Sequence, residues 1–225
     1  MNNNITAEQV KAGQAVYTKE VLHFYDLIVH HISNTLIWKC PSKNLIEHRI
    51  SSDNQLDVGV GTGFLLKHSR EKPERLALMD LNPNTLEYAR KRLGRQDIEV
   101  YQQNILEPIT KDIVPFDLIT MNYLLHCLPG TIETKAVVFK HLKRLAKPGC
   151  WIMGSTILSE GIEKNVLARK LMAFYNRKGI FCNQEDSLES LSQVLEDNFD
   201  KYHLRVEGCV ALFSGRVDSS PKANH

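Results

Sequence analysis

Apolar residues recur at three- and four-residue spacing from Thr6 to about Ile32, through Val10, Ala15, Val16, Val21, Leu22, Phe24, Tyr25, Leu27, Ile28 and Ile32. That period predicts amphipathic helices, with Gly13 dividing two of them. Leu36, Ile37 and Trp38 continue the apolar face, and Cys40-Pro41-Ser42 marks a break. The first 50 residues therefore read as a helical cap that precedes a sheet.

From Gln55 the pattern alternates between short apolar runs and helical periods. Gln55 to Gly59 reads as a strand running into glycines, followed by a helix from Phe64 to about Arg70. Leu76 to Met79 is a second strand ending at Asp80. Asn82 and Pro83 then open a helix through Leu93, because asparagine caps well and proline is tolerated in a first turn; Gly94 closes it. Ile98 to Gln102 and Phe116 to Met121 read as strands three and four, Thr131 to Ala146 as a helix, and Cys150 to Ser155 as strand five after Lys147-Pro148-Gly149. Gly161 to about Tyr175 and Ser187 to Phe199 read as further helices. His203 to Val206 and Cys209 to Phe213 read as an antiparallel pair around Gly208. Strands alternating with helices imply βαβ crossovers, a mostly parallel sheet, and a ligand bound outside the carboxyl ends of its strands.

Composition changes this picture little. With 225 residues and 43% hydrophobic content the chain can bury a sizeable core, so one α/β domain over 51–218 is expected, with a polar tail at 219–225. Met1 to Asn4 have neither the basic flank nor the apolar stretch of a signal peptide, and no later apolar run is long enough to cross a bilayer; a cytoplasmic protein without a membrane partner is the expectation. The five cysteines, Cys40, Cys127, Cys150, Cys182 and Cys209, lie far apart and predict reduced core thiols. A net charge of +2, with Arg90-Lys91-Arg92 and Arg95 on one helix, reads as a solvated helix face, not a nucleic-acid surface.

The chemistry concentrates in Asp57, Gly59, Gly61 and Gly63, placed between a strand and a helix. Glycines there permit a tight turn and let backbone amides approach a ligand. The dinucleotide fingerprint wants its last glycine where Phe64 stands, so a pyrophosphate is a poor fit. Roughly 20 residues further on, Asp80 ends strand two, where a carboxylate can accept hydrogen bonds from both hydroxyls of a ribose. The pair predicts a nucleoside ligand.

Leu56 to Gly63 resembles motif I of the class I S-adenosylmethionine methyltransferases, and Leu76 to Asp80 resembles their second motif. Phe116 to Met121 resembles the fourth-strand motif, and Leu142 to Gly149 the helix and Pro-Gly turn before strand five. The likeness covers about 55 to 160 in order. It implies a Rossmann-like, seven-stranded, mostly parallel sheet with a C-terminal antiparallel hairpin. It also implies that Asp57 and the backbone of Gly59 and Gly61 hold the methionine end of S-adenosylmethionine, with Gly63 also at the cofactor, that Asp80 binds the ribose, and that Leu81 flanks the adenine. Asn104-Ile105 fall where the family often has an acidic residue facing the adenine amine; asparagine can offer its carbonyl oxygen but no charge. Asn122 and Tyr123 would line the methionine side.

Methyl transfer from a sulfonium is an in-line displacement, so alignment and exclusion of water dominate, with a base where the nucleophile carries a proton. His126, on the segment leaving strand four, is a candidate general base or, equally, a residue that orders the loop before Pro129-Gly130. Tyr17 and Tyr25 occupy the region where related enzymes cover the cofactor; Tyr25 is also a candidate at the reacting centre, and Tyr17 at the cofactor. The stretch from Tyr25 through Lys39 resembles the entrance of quinone-biosynthesis methyltransferases. Residues 155–187, with Arg169, Met172, Tyr175, Asn176 and Arg177, lie where the family inserts a substrate-specific lid.

Asn122-Tyr123-Leu124-Leu125 is not the Asn-Pro-Pro-Tyr arrangement of amide and base methylation, which disfavours base-flipping chemistry. No close Asp/His/Glu set suggests a metal, so metal-independent transfer to an oxygen, nitrogen or carbon of a small molecule is expected, with room for a homodimer. The alternatives are a nicotinamide-dependent oxidoreductase, a non-catalytic cofactor-binding protein, and an RNA or protein methyltransferase.

Overall fold

The computed structural model describes residues 33–48 and 50–218. The expected helices of 6–32, with Tyr17 and Tyr25, and the tail from Ser219 lie outside the described residues. The chain enters at a π-helical turn over 33–37 and a short helix α1, Ser42–Glu47. Then follow β1 (Asn54–Val58), α2 (Phe64–His68), β2 (Arg75–Asp80), α3 (Pro83–Leu93), β3 (Glu99–Gln102) and β4 (Phe116–Asn122). A 3-10 turn, Leu125–Cys127, leads to α4 (Ile132–Lys135), α5 (Val137–Lys143), β5 (Ala146–Ile157), α6 (Val166–Arg177), α7 (Leu188–Asn198), β6 (Lys201–Glu207) and β7 (Val210–Arg216).

These strands form one seven-stranded sheet in the order β3-β2-β1-β4-β5-β7-β6. The first five are parallel; β7 runs antiparallel to both β5 and β6. Both faces are covered, which is why the inner strands are near-continuous apolar runs. Along β2 the pleat sends Ala77 and Met79 into a large core under α4, α5 and α7, while Leu76 and Leu78 pack beneath α2 and α3. A third cluster joins Trp38, Cys40 and Leu45 to Ala168, Met172 and Phe181 around Ile157, Val210 and Leu212.

Local sequence explains most element ends. The Asn82 side chain accepts from the Asn84 amide at 2.9 Å, Pro83 starts α3, and Gly94 ends it with φ 70°. Two expectations need correction. The helix expected over 131–146 is split at Ala136 into α4 and α5, and Ala146 to Gly149 already belong to β5, with a register shift between Phe116 and Leu118. Leu36 is not on the buried face with Trp38; it is 63% exposed. All five cysteines are free thiols.

Candidate functional site

A cleft opens at the carboxyl ends of β1, β2 and β4. Its floor is the turn after β1. Gly59 takes φ 69° and donates its amide to the carbonyl of Met79 at 2.8 Å, which brings the first and second strand ends together. A Cβ at position 59 would meet Cδ1 of Leu124 at 2.8 Å, so the leucine rests directly on the glycine backbone. Around Gly61, with φ 53°, a Cβ would meet nothing within 4 Å, leaving backbone exposed to the cleft. Gly63 serves packing instead: it caps α2 with φ 71°, and a Cβ there would lie 3.1 Å from that of Ala89.

Asp80 stands at the edge of the cleft. Its carboxylate accepts from the Asn82 amide at 2.9 Å and from the Gly61 backbone, yet burial outweighs these bonds and pushes its pKa up to about 6. Asp57, 9% exposed, does not line the cleft; its carboxylate accepts from the Thr120 hydroxyl, across the β1–β4 pair. The two acids sit close enough that Asp57 itself raises the Asp80 pKa.

The side wall is Leu81, Asn104 and Ile105, joined by Leu106, Thr85 and Gln103, which were not expected from the sequence. Gln103 and Leu106 flank the expected Asn104 and Ile105 just past β3, and Thr85 lies in the first turn of α3. Asn104 accepts from the Leu106 amide at 3.1 Å and donates to Glu107 at 2.9 Å, so its side chain is held in a local turn at the cleft wall. The opposite wall is Tyr123, Leu124, Cys127, Leu128 and Pro129. Asn122 is not part of it; its Oδ1 accepts from the Ser155 hydroxyl at 3.0 Å. Tyr123 holds φ 55°, an uncommon conformation for a residue with a side chain, fixed by its amide donating to the Ser155 carbonyl at 2.8 Å.

His126 lies behind that wall, 3% exposed. Its Nδ1 faces the Ile157 amide at 3.3 Å, and burial, helped by the Lys135 charge, lowers its pKa to about 3. Among the described residues no group of three His, Cys, Asp or Glu side chains is placed to hold a metal. The arrangement fits a nucleoside: a carboxylate beside an open glycine backbone, in a cleft that Leu81, Ile105 and Leu106 line with apolar side chains.

The family model described as a methyltransferase domain matches residues 56–152. The chain is 35% identical over 216 residues to demethylluteothin O-methyltransferase of Streptomyces thioluteus, covering 94% of each. The chain belongs to the class I S-adenosylmethionine-dependent methyltransferases. The methyltransferase is also 36% identical over 206 residues to the physcion biosynthesis cluster O-methyltransferase of Aspergillus chevalieri, covering 89% of this chain and 93% of that one. Its fold matches the N-methyltransferase NodS of Bradyrhizobium japonicum, solved with S-adenosyl-L-homocysteine, with a TM-score of 0.53 at 14% identity over 74% of this chain and 78% of that one. The methyltransferase takes its methyl group from S-adenosylmethionine.

Proposed function

We propose that this methyltransferase methylates an oxygen of a small, largely apolar molecule. The observation that carries this reading is the likeness along 94% of the chain to an O-methyltransferase of a small molecule; the wall beyond the glycine turn, Tyr123, Leu124, Cys127, Leu128 and Pro129, carries no formal charge and suits an apolar acceptor. The two sequence relatives named above are O-methyltransferases, one of demethylluteothin and one of a physcion biosynthesis cluster, whereas NodS, an N-methyltransferase, is similar in fold alone. The basic cluster at and just past the end of α3 speaks against a nucleic-acid partner, since Lys91 pairs with Glu87 and Arg95 with Asp97. No helix among the described residues is long and apolar enough to cross a membrane.

S-adenosylmethionine supplies an electrophilic methyl group on a sulfonium. In this reading Asp80 accepts from the ribose hydroxyls, and Gly59 and Gly61 present backbone to the methionine end. Leu81 and Ile105 sandwich the base, with the Asn104 turn at its edge. Asp57 acts from behind the cleft, with its carboxylate held by the Thr120 hydroxyl across the β1–β4 pair. Asn122 braces β5 through Ser155 and so fixes Tyr123.

The test is incubation with isotopically labelled S-adenosylmethionine and a panel of phenols, enols, amines and short RNAs, read by mass spectrometry. Label on the oxygen of a small phenol or enol is the expected result. Label on RNA, or donor binding with no transfer to any panel member, would overturn the reading.

A further inference from the structure

His126 is held from several elements at once. Its Nδ1 accepts from the Ile157 amide at 3.3 Å, with the Thr156 hydroxyl at 3.4 Å, both on β5. Its carbonyl accepts from the Cys182 amide at 2.8 Å, in the segment between α6 and α7. Its ring meets Phe181 edge-on at 4.5 Å and Tyr123 edge-on at 5.7 Å. An Nδ1 that accepts places the proton on Nε2, a neutral tautomer. The charged and titratable groups around it are Lys135 of α4, Cys127 and Tyr123 of its own turn, and Cys182 opposite. Lys135 is itself committed to Asp186 and to the Cys182 carbonyl, and among the described residues the imidazole nitrogen meets only the Ile157 amide and the Thr156 hydroxyl, not a carboxylate.

The same turn carries Leu124, whose side chain sits on Gly59. We propose that His126 is a positioning residue of the donor site: as a neutral imidazole it ties the turn 124–128 to β5 and to residues 181–182, and thereby seats Leu124 on the glycine turn. The general-base alternative requires the imidazole to reach the cleft, and the cleft is lined by its neighbours Tyr123, Leu124, Cys127 and Leu128 without it. This proposal rests on the donor site described above and not on the nature of the acceptor.

The wild-type protein tests it without any acceptor. Imidazole nitrogen spectra recorded from pH 5 to 8.5, with and without S-adenosylhomocysteine, are expected to show His126 as the Nε2–H tautomer throughout. A midpoint near 6 to 7 would overturn the proposal. Two variants add a second reading by calorimetry with S-adenosylhomocysteine at pH 7.5. His126→Asn, whose Oδ1 can replace Nδ1 as acceptor for the Ile157 amide, is expected to bind within about twofold of wild type, and His126→Leu at least about fivefold more weakly. A leucine variant that melts earlier yet binds with unchanged affinity would reduce His126 to packing and overturn the proposal. If wild type failed to bind S-adenosylhomocysteine, the donor site and the proposal would fall together; the other failures leave the donor site standing.

Discussion

Nζ of Lys135 lies 2.7 Å from Oδ2 of Asp186, and neither side chain has any exposed surface. The ammonium also donates to the Cys182 carbonyl at 2.7 Å, so α4 is pinned to the loop that leads into α7. Burial lowers the Lys135 pKa and pushes that of Asp186 up to about 6, which marks desolvation as the larger effect on each.

A buried charge that loses its partner is far more costly than the pair itself. Lys135→Met alone is expected to destabilise the fold by about 3–5 kcal/mol, whereas Lys135→Met with Asp186→Leu recovers most of that loss. Urea unfolding of the two variants at pH 7.5 checks this, and equal losses in both would contradict it.

Asp80 couples stability to binding. Because its folded pKa is raised to about 6 from 3.8, the ionised carboxylate weakens the fold above pH 6, and this cost fades as pH falls toward 4. Asp80→Asn should therefore stabilise the empty protein at pH 7.5 by something on the order of 2 kcal/mol while weakening S-adenosylhomocysteine binding at least about tenfold. Thermal melts with and without that ligand measure both effects.

The same carboxylate predicts a pH profile. If the ionised form binds the ribose, affinity for S-adenosylhomocysteine is flat above pH 7 and falls as pH drops through 6, by about tenfold for each further unit. Calorimetry between pH 5 and 8 follows it, and Asp80→Asn should remove the dependence. A profile that is flat in wild type would exclude this role.

Gly59 and Gly61 are expected to fail differently. Alanine at 59 must displace Leu124 as well as hold φ 69°, so Leu124→Ala should restore part of the affinity lost in Gly59→Ala. A Cβ at position 61 meets no atom of the described residues beyond its chain neighbours within 4 Å, and Leu124 is not among its contacts, so the same second substitution should not rescue Gly61→Ala. A double-mutant comparison of S-adenosylhomocysteine affinities decides between them.

The parallel core of the fold was legible because its signals are local. The Asn82 cap, Pro83 and Gly94 delimit α3 within a dozen residues, and the apolar run of β4 can only be a strand covered on both faces. The split at Ala136 was not, because the break accompanies a contact across the chain, Lys135 to Asp186, that no periodicity encodes. At the site, Gly59, Gly61, Asp80, Leu81, Asn104 and Ile105 line the cleft from positions their strand ends dictate. Asp57 and Asn122 lie one layer back, since a spacing pattern places a residue at a strand end without saying which way the pleat turns its side chain, and Gly63 is taken up by the cap of α2. His126 was undecidable from sequence for the same reason: its role depends on Ile157 and Phe181, far along the chain.

The antiparallel strand β7 lies inside the sheet, between β5 and β6, although it is the last to be made. The described residues lining the proposed donor cleft fall between Val58 and Pro129, so on the ribosome these leave well before Val210. Meanwhile β5, the longest strand, has a bare edge from Trp151 to Ile157 until Val210–Arg216 arrive to pair with it. A nascent chain thus holds the makings of its cofactor site while its stickiest edge is still open, and the timing of translation governs how long that edge can meet a neighbour's.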